Sequence, residues 1–233
     1  MPQTITDAIT EVYRICAMTP LAQQGRVVVL NELLGGYNLT CIELMGLTSE
    51  TASHFLMRRG AIFKPIRNAN QEPLAGYIYV DSSNGYIFVE RNDVLVRRRF
   101  SVAHEFGHYV LHFSPLLRME RLSDSYEPIE ITEELALSSA DEEAEDLPGG
   151  RVVHTPHLHL PSYDQMEKEA NQFAAELLMP AEAVHYLFTR YTPNCRGDDL
   201  IWRLATEMLV SRPAMRRRLS DLHLLPWVAT HLN

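Results

Sequence analysis

Residues 99–108, Arg-Phe-Ser-Val-Ala-His-Glu-Phe-Gly-His, set H-E-x-x-H inside a helical apolar pattern, and nothing else in the chain constrains its fold as strongly. On an α-helix, residues four apart stand one turn above each other, so the imidazoles of His104 and His108 can converge on one ion. Glu105 projects about a quarter turn away, within reach of a water on that ion. Catalytic zinc takes three protein ligands and keeps one position open, and two stacked histidines supply two of the three. Five residues alone could match by coincidence on a surface helix. Val102, Ala103, Phe106 and Val110 argue against coincidence by giving the helix an apolar side, and Gly107 leaves room for close approach. The pattern predicts a helix that begins near Asp93 or Val94 and ends before Pro115.

A third ligand must come from elsewhere. The metzincin pattern would need Gly and His where this chain has Leu111 and Ser114, so that class is excluded. His112 lies one turn beyond His108, but a straight helix cannot wrap three imidazoles around a tetrahedral ion. It reads as a residue that supports a ligand or the fold. Glu167 is the stronger candidate. It shares a helix face with Asn171, with the small Ala170 and Ala174 beside them where another helix could pack. Glu169, two residues on, is expected to point nearly the opposite way. In this reading Glu167 binds the metal, and the Asn171 side-chain oxygen accepts the free ring N–H of a histidine and fixes its tautomer. His154, His157 and His159 form a rival cluster, but they sit in a Pro-rich stretch with no matching carboxylate and read as a surface loop.

Two segments together, R-R-F-S-V-A-H-E-F-G-H-Y-V-L-H at 98–112 and E-K-E-A-N-Q-F-A-A-E-L-L-M-P at 167–180, resemble the ImmA/IrrE metallo-endopeptidases. The likeness extends more weakly to the β-rich runs before the first motif and to the helical segment near the C-terminus. It implies an α+β, zincin-like core, mostly helical with a small sheet containing antiparallel strands. It also implies one zinc per chain on His104, His108 and Glu167, with Glu105 as the catalytic carboxylate; a His₂Glu set could hold another divalent ion. The implied substrate is a helix-turn-helix repressor, cut to release stress-response, defence or mobile-element genes. The departure from the family pattern is a long acidic insertion at about 116–161.

That insertion explains the net charge. Residues 120–146 hold eleven acidic side chains against one basic, Arg121, so in a chain of net charge −9 the remainder carries about +1. The chain reads as a near-neutral body with an acidic lid or partly disordered insert. No apolar run is long enough to span a bilayer, and no signal-peptide pattern opens the sequence. Cys16, Cys41 and Cys195 are odd in number and widely spaced, as reduced thiols of a cytoplasmic protein would be.

Other signals order the rest of the chain. Helices are expected at about Asp7–Met18 and from Thr48 or Ser49 to Arg59, with Gly60 as the stop; Val27–Leu34 fits strand or helix, with Leu30, Leu33 and Leu34 favouring a helix. Ala61–Ile66 is strand-like. Tyr77–Val80 and Tyr86–Val89 predict a hairpin whose edge could hold an extended peptide beside the metal helix. Ser162 with Gln165 reads as a capping box for the Glu167 helix. The peptidase domain is expected over 1–190 and a helical, helix-turn-helix-like segment over 191–233. There Ser211 caps a helix carrying Arg212, Arg216, Arg217 and Arg218. Those arginines could contact nucleic acid, which could act as an activator, or the helix pair could simply pack on the body. The competing functional reading is therefore a DNA-binding regulator with a structural or vestigial metal site. Tyr163, His157 and His159 are candidates for stabilising an oxyanion.

Overall fold

The computed structural model describes residues 4–17, 27–60, 72–80, 85–120, 131–132 and 161–225. Within them the chain is helix-rich around a small mixed sheet. Helices α1 (Ile5–Ile15) and α2 (Leu30–Gly36) precede strand β1 (Leu39–Leu44). Helix α3 (Ser49–Arg58) follows, capped by the Thr48 hydroxyl, which accepts from Thr51 N–H, while the Thr51 hydroxyl accepts from Thr48 N–H. Gly60 ends that segment at φ +88°, a value that favours glycine. Strands β2 (Gly76–Val80) and β3 (Gly85–Glu90) form the expected antiparallel pair, with Ile78 opposite Ile87.

The sheet order is β1-β3-β2-β4, where β4 is the two-residue strand Ile131–Thr132. β1 runs parallel to β3, and β4 runs antiparallel to the end of β2. Side chains of β2 and β3 alternate between two faces, as the period of a strand dictates. Ile78, Val80, Ile87 and Val89 enter the main core, while Tyr77, Tyr79 and Phe88 pack against Ala52 and Leu56 of α3.

Helix α4 (Leu95–His108) lies on the main-core face and passes into a π-helical turn at Tyr109–Phe113, then into α5 (Ser114–Glu120). The helix was expected to end before Pro115 and instead runs through it. A proline ring normally collides with the carbonyl four residues earlier, and the wider five-residue turn just before Pro115 relieves that geometry. Arg98 pairs with Glu43 of β1 at 2.6 Å and Arg99 donates to the Val28 carbonyl at 3.1 Å, fixing α4 against its neighbours.

Helix α6 (Tyr163–Leu178) crosses α4 closely. Ser162 occupies its N-cap position without a side-chain cap, contrary to the expected capping box, because Gln165 turns forward to Glu169 at 2.7 Å. Helices α7 (Ala181–Tyr191), α8 (Gly197–Met208) and α9 (Arg212–Asp221) follow. Leu209 adopts φ +51° in the turn between the last two, and the Ser211 hydroxyl accepts from Ala214 N–H to cap α9. Leu204, Met208, Met215 and Leu219 share one hydrophobic core with Phe106 and Phe173. The expected strand at 61–66, the histidine cluster at 154–159 and most of the acidic insertion lie outside the described residues.

Candidate metal centre

Two close-packed helices build the site. Gly107 faces α6, where a methyl group would fall 3.2 Å from the Cα and carbonyl oxygen of Ala170 and 3.1 Å from the Phe173 ring. Glycine on one helix and alanine on the other therefore set the spacing, and Phe106 closes against Phe173 in an edge-to-face pair at 5.8 Å. This crossing brings Glu167 to the two histidines. His108 Nε2 lies 3.1 Å from His104 Nε2 and 3.0 Å from Glu167 Oε1, and His104 Nε2 lies 3.5 Å from Glu167 Oε2.

The three residues form a group that could hold a metal ion, and the donor set and its dimensions fit zinc. With metal–ligand bonds of about 2.0–2.1 Å, the edge of a tetrahedral site is about 3.3 Å, close to all three separations. The His108 side chain is 2% exposed, His104 14% and Glu167 28%, so the group is anchored inside and open on the Glu167 side. The adjacent His104 and His108 rings hold the Glu167 carboxyl well below the usual carboxylate range. Burial pushes His108 below the usual histidine value and so favours the neutral ring, the form that binds a metal.

Glu105 is 3% exposed and directed toward the start of β2, where Gly76 leaves room for it. A methyl group on Gly76 would stand 2.4 Å from Glu105 Oε1. Nothing in the sequence marks this glycine for the site beyond its place at the head of a β-rich run.

Two expected placements change. Asn171 does not reach a histidine ring: its amide donates to the Glu167 carbonyl of its own helix at 2.8 Å and the side chain faces solvent. A short amide one turn along the helix finds its own backbone sooner than a ring on α4. Glu169, expected to point away, accepts instead from His112 Nε2 at 3.0 Å. His112 is buried at 3% and its Nδ1 lies 3.3 Å from His108 Nδ1, on the far side of that ring from Glu167. Burial works to raise Glu169, but hydrogen bonds from Gln165 and His112 outweigh it and its pKa falls.

Nor are the arginines of α9 all available. Arg218 is buried, donating through Nε to the Met179 carbonyl at 2.9 Å and pairing with Glu176 of α6. Arg216 is exposed and paired with Asp198 at 2.5 Å, whereas Arg212 and Arg217 are exposed. Tyr163 opens α6, while His157 and His159 lie outside the described residues.

Fold and site together define a helix-rich α+β protein whose two histidines and one carboxylate, from two crossing helices, can hold a metal. The family model for peptidase M78, the IrrE N-terminal-like domain, matches residues 65–137 and 120–220, and the chain belongs to that peptidase family. No curated protein matches it. Membership implies a metal and a protein substrate. Among the described residues no helix is long and apolar enough to cross a membrane.

Proposed function

We propose that the chain is a zinc-dependent endopeptidase with a zincin-like core. In it His104, His108 and Glu167 hold the ion and Glu105 carries the proton. The observation that carries this reading is the convergence of His104 Nε2, His108 Nε2 and the Glu167 carboxylate, at 3.1 Å between the rings and 3.0 and 3.5 Å to the two carboxylate oxygens, with a buried carboxylate on the residue after His104. Zinc bound there would supply Lewis-acid activation of water and of the scissile carbonyl. Glu105 takes the proton of the attacking water and returns it to the leaving amine, and its burial beside Gly76 holds the carboxylate in one place for both transfers. Among the described residues no strand pairs with the outer edge of β2 beyond the β4 contact at Tyr79 and Val80, which leaves backbone groups there for an extended substrate.

The substrate we assign is a helix-turn-helix repressor in the cytoplasm, by likeness to the family; cutting it would release stress-response, defence or mobile-element genes. The rival reading, a DNA-binding regulator with a structural metal, loses support from Arg218, which is spent inside the protein. Arg212 and Arg217 remain for any phosphate contact.

Incubation with the repressor encoded nearest to its gene, and with a proteome-derived peptide library, tests the proposal. Cleavage should stop with phenanthroline, return with zinc, and be absent in Glu167→Ala, which should also lose most bound metal. Cleavage that survives complete metal removal would exclude the mechanism.

A further inference from the structure

Behind the candidate ligands runs a line of hydrogen-bonding groups that zinc chemistry alone does not call for. Glu169 Oε2 lies 3.0 Å from His112 Nε2, and His112 Nδ1 lies 3.3 Å from His108 Nδ1. At the other end, His108 Nε2 lies 3.0 Å from Glu167 Oε1. Both histidine rings are buried, whereas the Glu169 side chain is 30% exposed and its Oε1 accepts from Gln165.

The directions of these bonds are fixed from the carboxylate end. An ionised carboxylate only accepts, so His112 Nε2 must carry a proton. A neutral His112 then has a lone pair on Nδ1, which can only accept from a proton on His108 Nδ1. That leaves His108 Nε2 bare, with its lone pair facing the Glu167 carboxylate and the His104 ring. A cation held between these acceptors would complete the arrangement. The opposite assignment, with the His108 proton on Nε2, turns the His112 Nε2 lone pair against Glu169.

From this we infer that the Glu169–His112 pair is a positioning relay, locking His108 in the Nδ1–H tautomer and presenting its Nε2 lone pair to the metal. The inference rests on the metal reading above. It also gives the π-helical turn at Tyr109–Phe113 a use, since His112 sits within that turn and reaches the far edge of the His108 ring. His104 has no counterpart: among the described residues its buried Nδ1 has no hydrogen-bond partner. The relay therefore makes His108 the pre-set ligand.

Two measurements on the purified full chain test it. Nitrogen NMR of the metal-free protein, at a pH where both rings are neutral, should find the proton on Nδ1 of His108 and on Nε2 of His112. In zinc titrations against a chromophoric chelator, His112→Phe and Glu169→Ala should each bind zinc about 10–100-fold more weakly than wild type. Glu169→Gln, which keeps an acceptor oxygen, should recover most of the loss. The partly exposed Glu169 makes its variants safe for the fold, so the test survives if His112→Phe misfolds. A His108 proton on Nε2, or wild-type zinc affinity in Glu169→Ala, would overturn the relay while leaving the metal reading intact. Absence of zinc binding by wild type would overturn both.

Discussion

Replacing Gly76 by alanine should disable the site without touching a metal ligand. The added methyl would lie 2.4 Å from Glu105 Oε1 and 3.1 and 3.2 Å from its Cγ and Cδ, where ordinary contact begins at 3.4 Å. The carboxylate must therefore retreat by about 1 Å, and at 3% exposure it has no solvent-filled space to take up. Misplacing a reacting group by that much costs on the order of 100-fold in rate. Stability should change little by comparison. Alanine in a strand gains about 0.5–1 kcal/mol over glycine, and the strain of an added methyl takes back about 1–3 kcal/mol. The net loss is then about 2.5 kcal/mol at most. The assay is kcat/KM on a peptide identified as cleaved, alongside zinc affinity and the unfolding midpoint. A folded, zinc-binding Gly76→Ala protein with wild-type kcat/KM would refute the argument, as would zinc loss in step with activity.

Three further outcomes follow from contacts elsewhere. Gly107→Ala should lower stability by about 1–2 kcal/mol despite a helix-propensity gain of about 1 kcal/mol, because the methyl meets the backbone of α6, which cannot yield as a side chain would; denaturant unfolding reads this. Arg218→Ala should cost about 2–4 kcal/mol by removing the cation paired with Glu176, which keeps the Ala181 N–H, and the donor to the Met179 carbonyl, whereas Arg217→Ala on the exposed face should stay within about 0.5 kcal/mol in the same assay. Backbone N–H groups of Asn92 and Leu47 lower the Glu90 pKa, so its contribution to stability is present above the usual carboxylate value of 4.5 and fades as pH falls through its lower folded value. Glu90→Gln should accordingly flatten the drop in unfolding midpoint on acidification below pH 4.5.

Where periodicity and chemistry coincide, the sequence was sufficient. The apolar side of α4, the alternation in β2 and β3, the caps at Thr48 and Ser211, and the small residues Ala170 and Ala174 are all local patterns, and each has its structural counterpart. Strand β1 was not legible, since Leu39–Leu44 earns its strand from a parallel partner distant in sequence. The π-helical turn was hidden for a similar reason: it answers Pro115 and the packing of His112, not a propensity of its own. Glu169 shows the limit of helical-wheel reasoning. It does lie well around α6 from Glu167, but α4 passes so close that successive turns of one helix serve both carboxylates, His108 meeting Glu167 and His112 meeting Glu169. Side-chain length covers the angle that spacing alone forbids.

The most direct measurement of the central claim is zinc affinity and peptide cleavage on Glu105→Gln, side by side with wild type. Glutamine keeps the volume and the fold but cannot accept a proton from water. The account predicts one zinc bound per chain with wild-type affinity and cleavage lowered at least about 100-fold. Cleavage near the wild-type rate, with zinc bound, would contradict it.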